Sequence, residues 1–499
     1  MLLEAGKFRP LCAGKEFPVR SSALLLTAIM AALQLSAAAT ATPVDCTHLM
    51  AWIAGGTPSQ KLIKIVESRG AQIVLTPQLE RELRDAGATP ELIGAVRNRK
   101  SSSSSLCPAE LTKVAGLVRA RKYDEAATLT LTLTQNHPHD GALQFALAYI
   151  RQLQGDWDGA FDAYSSSKEA EPEFAEVHDR LALIFYEGDD GENTIGEART
   201  ALSMDFEDAE AYRMLGLGHY SNEQYAAAMN AFEESLARDP GNGDVYFEMG
   251  LVARDQNSEE LAANYFRKAL QLDATLWQAH NSLGGLLLKQ KRFEEARSEL
   301  TAARRQAPND PSVHENLANL YYGEGQFDAA IAEYHELFRL SPNWRHGHDS
   351  LARAYMAKNE YAAAAAELKL AVQQNPSNPA QHRALGQLLL LSEQRTEAVR
   401  ELRIAVELGP DSASSHYYLG TAFLQGGDLN SALKEFQESV RLEPSAEHHY
   451  ALAACLMNLG RDREALAEME TARRLDPDKV LYHAREQELQ QLMRSTTLR

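Results

Sequence analysis

Apolar and small residues return along this chain in a fixed 34-residue rhythm between residues 107 and 478, and only the last step shortens, to 33. Eleven blocks begin near 107, 141, 175, 209, 243, 277, 311, 345, 379, 413 and 446. Within a block the seventh place is large and apolar (Leu147, Leu215, Met249, Leu317, Leu419), and the eighth is Gly or Ala in every block but the first, which has Val114. The twentieth place is Ala everywhere except Thr194, and the twenty-fourth is aromatic at Tyr164, Phe232, Phe266, Tyr334 and Phe436. Small residues let two antiparallel helices cross closely, and the large ones fill the space beside the crossing. Pro240-Gly241-Asn242, Pro308-Asn309-Asp310 and Pro376-Ser377-Asn378 close one helix and cap the next. The pattern predicts helix pairs with no strand between them. Such units cannot bury their apolar faces alone, so they must stack as a solenoid.

Agreement at many independent places in many copies closely resembles the tetratricopeptide repeat family, over about three quarters of the chain, residues 107–478. The blocks at 107 and 175 depart most, with Lys113 and Val114 in the first and Thr194 in the second. The resemblance implies a right-handed α-solenoid of eleven helix-turn-helix repeats, in which the first helix of each pair lines a concave groove through places 2, 5, 9, 12 and 13. Place 5 then brings Phe145, Arg213, Phe247, Arg383, Tyr417 and Tyr450 inward. Place 9 adds Tyr149, Asn319 and Arg353, and place 12 adds Tyr186, Tyr220, Arg254 and Tyr322. Aromatic and Arg side chains in a groove are typical anchors for a protein or peptide partner. The family's clamp for a C-terminal carboxylate needs Lys beside Asn, and place 5 holds no Lys. Its asparagine ladder at place 6 is represented by Asn316 alone.

Residues 1–41 differ in kind. Lys7, Arg9, Lys15 and Arg20 precede an apolar run from Ala23 to Leu35 and the small-residue segment Ala39-Thr40-Ala41. This is the layout of an export signal, and its apolar run is short of the roughly 20 residues of a membrane span. Cleaved export to a periplasmic or secreted location is the leading expectation, and retention as a membrane anchor by residues 22–41 is the alternative. Residues 46–100 show four apolar stripes around Trp52, Leu62, Leu83 and Ile93, separated at Gly70, Gly87 and Pro90, and predict a small helical module. At about 55 residues it is near the lower limit for folding alone, so docking on the first repeat or a staple would help. Cys46 and Cys107 bracket it and can close a disulfide in an oxidising compartment or stay as two thiols. Residues 101–106, with the run Ser101 to Ser105, form a linker, and 479–499 form a polar helix capping the open end of the stack.

A net charge of −19, with Lys and Arg dispersed through the repeats and no basic stripe, argues against a nucleic-acid partner. The fifteen histidines raise a metal site, yet His178, His280, His314, His348, His382, His416 and His449 all stand at the fourth place of their blocks. One per repeat, they spread along the axis instead of converging as metal ligands must. No phosphate loop, nucleophile elbow, His-Glu-x-x-His helix or Cys-x-x-Cys pair is present. No cofactor is expected. The chain therefore reads as a non-enzymatic scaffold in an extracytoplasmic or envelope complex, with a membrane-anchored adaptor as one alternative and an enzyme sited in residues 46–100 as a remote one.

Overall fold

The structure is a computed structural model and describes residues 43–99, 107–344 and 347–497. The export segment 1–41 and the linker 101–106 lie outside the described residues. Among those described there are 27 helices and no strand, with one isolated bridge between Val44 and Ala71. Between Ala109 and Leu475 the helices form eleven pairs, such as Gly141–Gln154 with Trp157–Ala170 and Pro311–Gly323 with Phe327–Leu340. Each helix packs on its pair partner, and within each unit successive pairs stack in sequence order, so the chain is an all-α repeat solenoid. It divides into two compact units, one through Asp273 and one from Ala274.

The repeat places act as their residue types require. The eighth-place glycines Gly216, Gly284 and Gly386 lie so close to Phe232, Leu300 and Leu402 that a Cβ would stand 2.5–2.6 Å from those side chains. Ala330, at the twentieth place, is fully buried. Helix starts are capped by side chains: Asn242 accepts the N–H groups of Asp244 and Val245, Asp310 that of Ser312, and Asn378 that of Ala380. Between the two helices of every pair one residue takes a left-handed conformation. Gly155, Gly325, Gly427 and Gly460 do so freely, whereas Arg121, Asp189, Glu223, Asn257, Lys291, Asn359 and Glu393 do so at φ of 57–61°.

In the first unit, four short helices precede the repeats: α1 (Cys46–Ala54), α2 (Ser59–Arg69), α3 (Pro77–Ala86) and α4 (Pro90–Asn98). Asp45, Thr76 and Thr89 cap α1, α3 and α4. Their core is not separate. Leu49, Trp52, Leu83 and Val96 belong to the same buried cluster as Leu111, Phe145 and Phe174 of the repeats. So few residues bury too little surface on their own, and the first repeats supply the missing wall. The Cα atoms of Cys46 and Cys107 lie 5.1 Å apart, within the span of a disulfide.

In the second unit, the last helix, Val480–Thr497, lies on the helix Asp462–Leu475. It buries Tyr482 and Leu489 and pairs Glu486 with Arg473 at 2.6 Å, while Val480 and Leu481 stay exposed.

Candidate partner-binding face

The inward places of the first repeats are already covered. Phe145 is completely buried, edge-on to Tyr164 and Phe174 at ring separations of 5.4 and 5.0 Å. Gly55 at the end of α1 approaches its ring so closely that a Cβ there would stand 2.6 Å away. Its expected role as an exposed groove anchor is therefore corrected: Phe145 is a core residue under α1. Tyr149 is half-buried beneath Gly56, with the Arg180 guanidinium 5.3 Å from its ring centre. Trp52 of α1 stacks on Phe174 at 4.7 Å. His48 lies between Asp45, 2.7 Å away, and Glu171, 3.4 Å away. Burial opposes its charge, but the hydrogen bonds to Asp45 and Glu171 prevail and push the imidazole up to about 10.

Farther along the first unit, the predicted Arg213, Tyr220 and Arg254 are held by acidic neighbours. Arg213 donates from Nε and Nη2 to Glu248 Oε1 at 2.8 and 2.5 Å, and from Nη1 to Glu210 at 2.9 Å. Burial pushes the Glu248 carboxyl up to about 7 against the pull of Arg213. Tyr220 donates its hydroxyl to Asp255 Oδ2 at 2.6 Å, and Arg254 Nε donates to the other oxygen at 2.8 Å. Burial raises the Tyr186 and Tyr220 phenols above their ordinary range. Phe247 is half-buried, its ring 5.8 Å from that of Phe266.

In the second unit Arg353 is exposed, held by Ser350 Oγ at 2.7 Å, and Arg383 is half-buried. Tyr322 is half-buried beside Phe327 at 5.6 Å, and Asn319 accepts the Tyr334 hydroxyl at 2.7 Å. Tyr417 donates to Glu447 at 3.1 Å, and Tyr450 rests 5.2 Å from Tyr482 of the last helix. Sequence reasoning missed a polar seam between the 277 and 311 repeats. Asn316 Nδ2 donates to Asn281 Oδ1 at 3.0 Å, and Asn281 Nδ2 donates to Ser312 Oγ at 3.1 Å. Nearby, burial pushes Glu315 up to about 6, opposed by a hydrogen bond from Trp344 and reinforced by Asp349. Asn281 and Glu315 stand at place 5, so their inward position was readable, but the pairing of Asn281 with Asn316 across repeats was not.

The fourth-place histidines form a ladder of hydrogen bonds to glutamates. Nδ1 of His178, His280, His314, His348, His382, His416 and His449 meets the Glu nineteen residues later at 2.5–2.8 Å. In five of them Nε2 faces the backbone carbonyl six residues earlier, at 2.9–3.3 Å. For His280 and His314, acceptors on both ring nitrogens favour the form in which both donate, an imidazolium. The histidine for His280 and His314 is accordingly raised above its ordinary value, first by its Glu partner. Among the described residues no cluster of His, Cys, Asp or Glu is arranged to hold a metal, and no helix is long and apolar enough to cross a membrane.

Two family models, each described as a tetratricopeptide repeat, match residues 253–320 and 321–388 in one case and 112–177, 213–276, 383–447 and 423–480 in the other. Together they span more than half of the chain, which belongs to the tetratricopeptide repeat family. No curated protein matches it in sequence. Among solved structures it is similar to YrrB, a TPR protein with an unusual peptide-binding site, at 24% identity over 38% of this chain and 97% of that one, with a TM-score of 0.35. It is similar to PilF of Pseudomonas aeruginosa at 26% identity over 42% and 94%, with a TM-score of 0.39. Human IFIT1, solved as a dimer with a capped RNA, is 14% identical over 84% and 100%, with a TM-score of 0.44. Repeats of this family are suited to protein–protein interaction.

Proposed function

We propose that this chain is a non-enzymatic scaffold that binds an extended peptide or a helix of a partner protein on the first helices of its later repeats. The observation that carries the reading is a division among the first helices. Their inward places on the 141 and 175 repeats lie under α1 and α2, whereas Phe247, Tyr322, Arg353, Arg383 and Tyr417 lie half-buried or exposed in later repeats. Within the second unit, Tyr322, Arg353, Arg383 and Tyr417 spread such anchors over several repeats and suit an extended ligand.

The location proposed is extracytoplasmic, in an envelope complex. The basic, apolar and small-residue layout of residues 1–41 supports it, as does the approach of Cys46 to Cys107, since such bonds persist in oxidising compartments. Partner capture from native membranes, followed by mass spectrometry, supplies the ligand. Phe247→Ala and Tyr417→Ala should then weaken binding with helicity unchanged. Full affinity in both variants, with loss on charge reversal of the second helices, places the ligand on the opposite face and refutes the proposal.

A further inference from the structure

α2 meets the repeats through two core residues and a set of basic side chains. The buried residues of α2, Leu62 and Val66, belong to the shared core, and the helix packs against α4. Toward the repeats it sends Lys61, Lys64 and Arg69. Lys61 Nζ sits among three carboxylates: Asp179 Oδ2 at 2.6 Å, Glu176 Oε2 at 2.7 Å and Asp208 Oδ2 at 2.8 Å. Each of these carboxylate side chains is at most 4% exposed. Lys64 pairs with Asp205 at 2.8 Å in a more open setting, and Arg69 Nη2 donates to the Glu173 carbonyl at 2.7 Å.

Glu176 and Asp179 occupy places 2 and 5 of the first helix of the 175 repeat (Ala175–Glu187), and Asp208 caps the first helix of the next (Ala209–Ser221). The pocket therefore lies on the face where a ligand is expected. Its charges do not balance. Arg180 also pairs with Glu176, at 2.9 Å, which leaves Asp179 and Asp208 sharing Lys61. Asp179 Oδ1 is buried with no hydrogen-bond partner, and burial drives its carboxyl well above the ordinary range against the pull of Lys61. Three buried acids around one amine, with an acceptor left unfilled, describe a site built for a group with several N–H donors. An ammonium has three.

We infer that Glu176, Asp179 and Asp208 form a site for a primary ammonium group, held shut by Lys61 of this chain and open to a lysine of a partner peptide once α2 moves aside. The two ends of the cover differ in kind. Both helices enter the shared core, α2 through Leu62 and Val66, but α1 adds the Trp52–Phe174 stack, while α2 meets the acidic pocket through Lys61, an ion pair that another lysine reproduces. The inference extends the groove reading toward the first repeats but does not depend on any ligand at 209 and beyond. Failure at Phe247 and Tyr417 leaves it standing, and its own failure leaves them untouched.

The test uses the full chain as wild type, as Lys61→Glu and as Lys61→Glu with Asp179→Asn. The probe is a synthetic peptide of residues 58–70, compared with the same peptide carrying Lys61→Gln. In Lys61→Glu, hydrogen exchange in residues 59–69 should quicken at least tenfold while that of the 311–478 repeats is unchanged. That chain should bind the lysine peptide at least tenfold more tightly than wild type does, and the added Asp179→Asn should reverse the gain, because a buried charge pair is lost. Unchanged exchange in residues 59–69, or equal binding of the two peptides, overturns the inference. If Lys61→Glu loses helicity, Lys61→Gln removes the charge without repulsion, and the same two readouts decide.

Discussion

Removing one rung of the histidine ladder should destabilise its repeat by an amount that depends on pH. His314 is 6% exposed, with Nδ1 2.7 Å from Glu333 Oε2 and Nε2 2.9 Å from the Pro308 carbonyl. Glu333 also receives Arg304 at 3.2 Å, and Glu336 adds to the field at the ring. His314→Ala deletes both hydrogen bonds, one of them charge-assisted, and leaves the carbonyl unsatisfied, a loss of about 2–3 kcal/mol. Arg304 keeps Glu333 from being stranded, so the upper end of that range is not expected. The sign of the pH effect follows from the direction of the shift. The folded pKa of His314 is raised, so its contribution is complete below the ordinary value of 6.5 and is lost as pH rises through the folded value. Because a repeat is coupled mainly to its neighbours, hydrogen exchange resolved to the helices Pro311–Gly323 and Phe327–Leu340 is the proper assay. The difference between wild type and variant should be largest near pH 6 and narrow in alkaline solution, where the packing and one hydrogen bond of the neutral ring remain. A difference that stays constant from pH 6 to pH 9 would show that the ring acts by packing alone, and the imidazolium assignment would be wrong.

Ala330→Leu forces volume into a fully buried crossing and should cost about 1–3 kcal/mol, read as a lowered unfolding midpoint. Phe145→Ala should destabilise the first unit by about 3–5 kcal/mol, as a buried aromatic does, rather than report on a partner at the 209 repeat and beyond. Lys291→Gly, at φ 59°, should stabilise its repeat by up to about 1 kcal/mol through relief of a left-handed non-glycine residue, checked by thermal unfolding. N-terminal sequencing of the native protein should find a start near Thr42, and Met1 on a soluble cytoplasmic chain would contradict export.

What could be read from the sequence is what repeats. A glycine at place 8 facing Phe232 at place 24 is one instance of a relation that recurs, so eleven copies outvote local noise and the helix pairs follow. The histidines at place 4 were legible as structural for the same reason, though their Glu partners nineteen residues on had gone unnoticed until the geometry joined them. Contacts made once leave no such trace. Nothing in residues 46–69 announces that Trp52 will stack on Phe174 or that Lys61 will reach residues 115 and 118 positions away. Phe145 and Phe247 share place 5, and no periodic argument separates them. One lies under α1 and the other does not.

The cover also explains why an acidic pocket on the repeats can persist. With Arg180 as their only counter-charge, the three carboxylates would raise one another's proton affinity and weaken the stacking of the 175 and 209 repeats, since Asp208 caps the helix that begins at Ala209. Lys61 offsets that repulsion while α2 is in place. Any ligand that displaces α2 must therefore bring a cation of its own, or the pocket must take up protons. Acidic peptides of matching shape are repelled at this end of the groove by the same charges that would welcome a lysine, so the pocket selects by repulsion as well as by attraction.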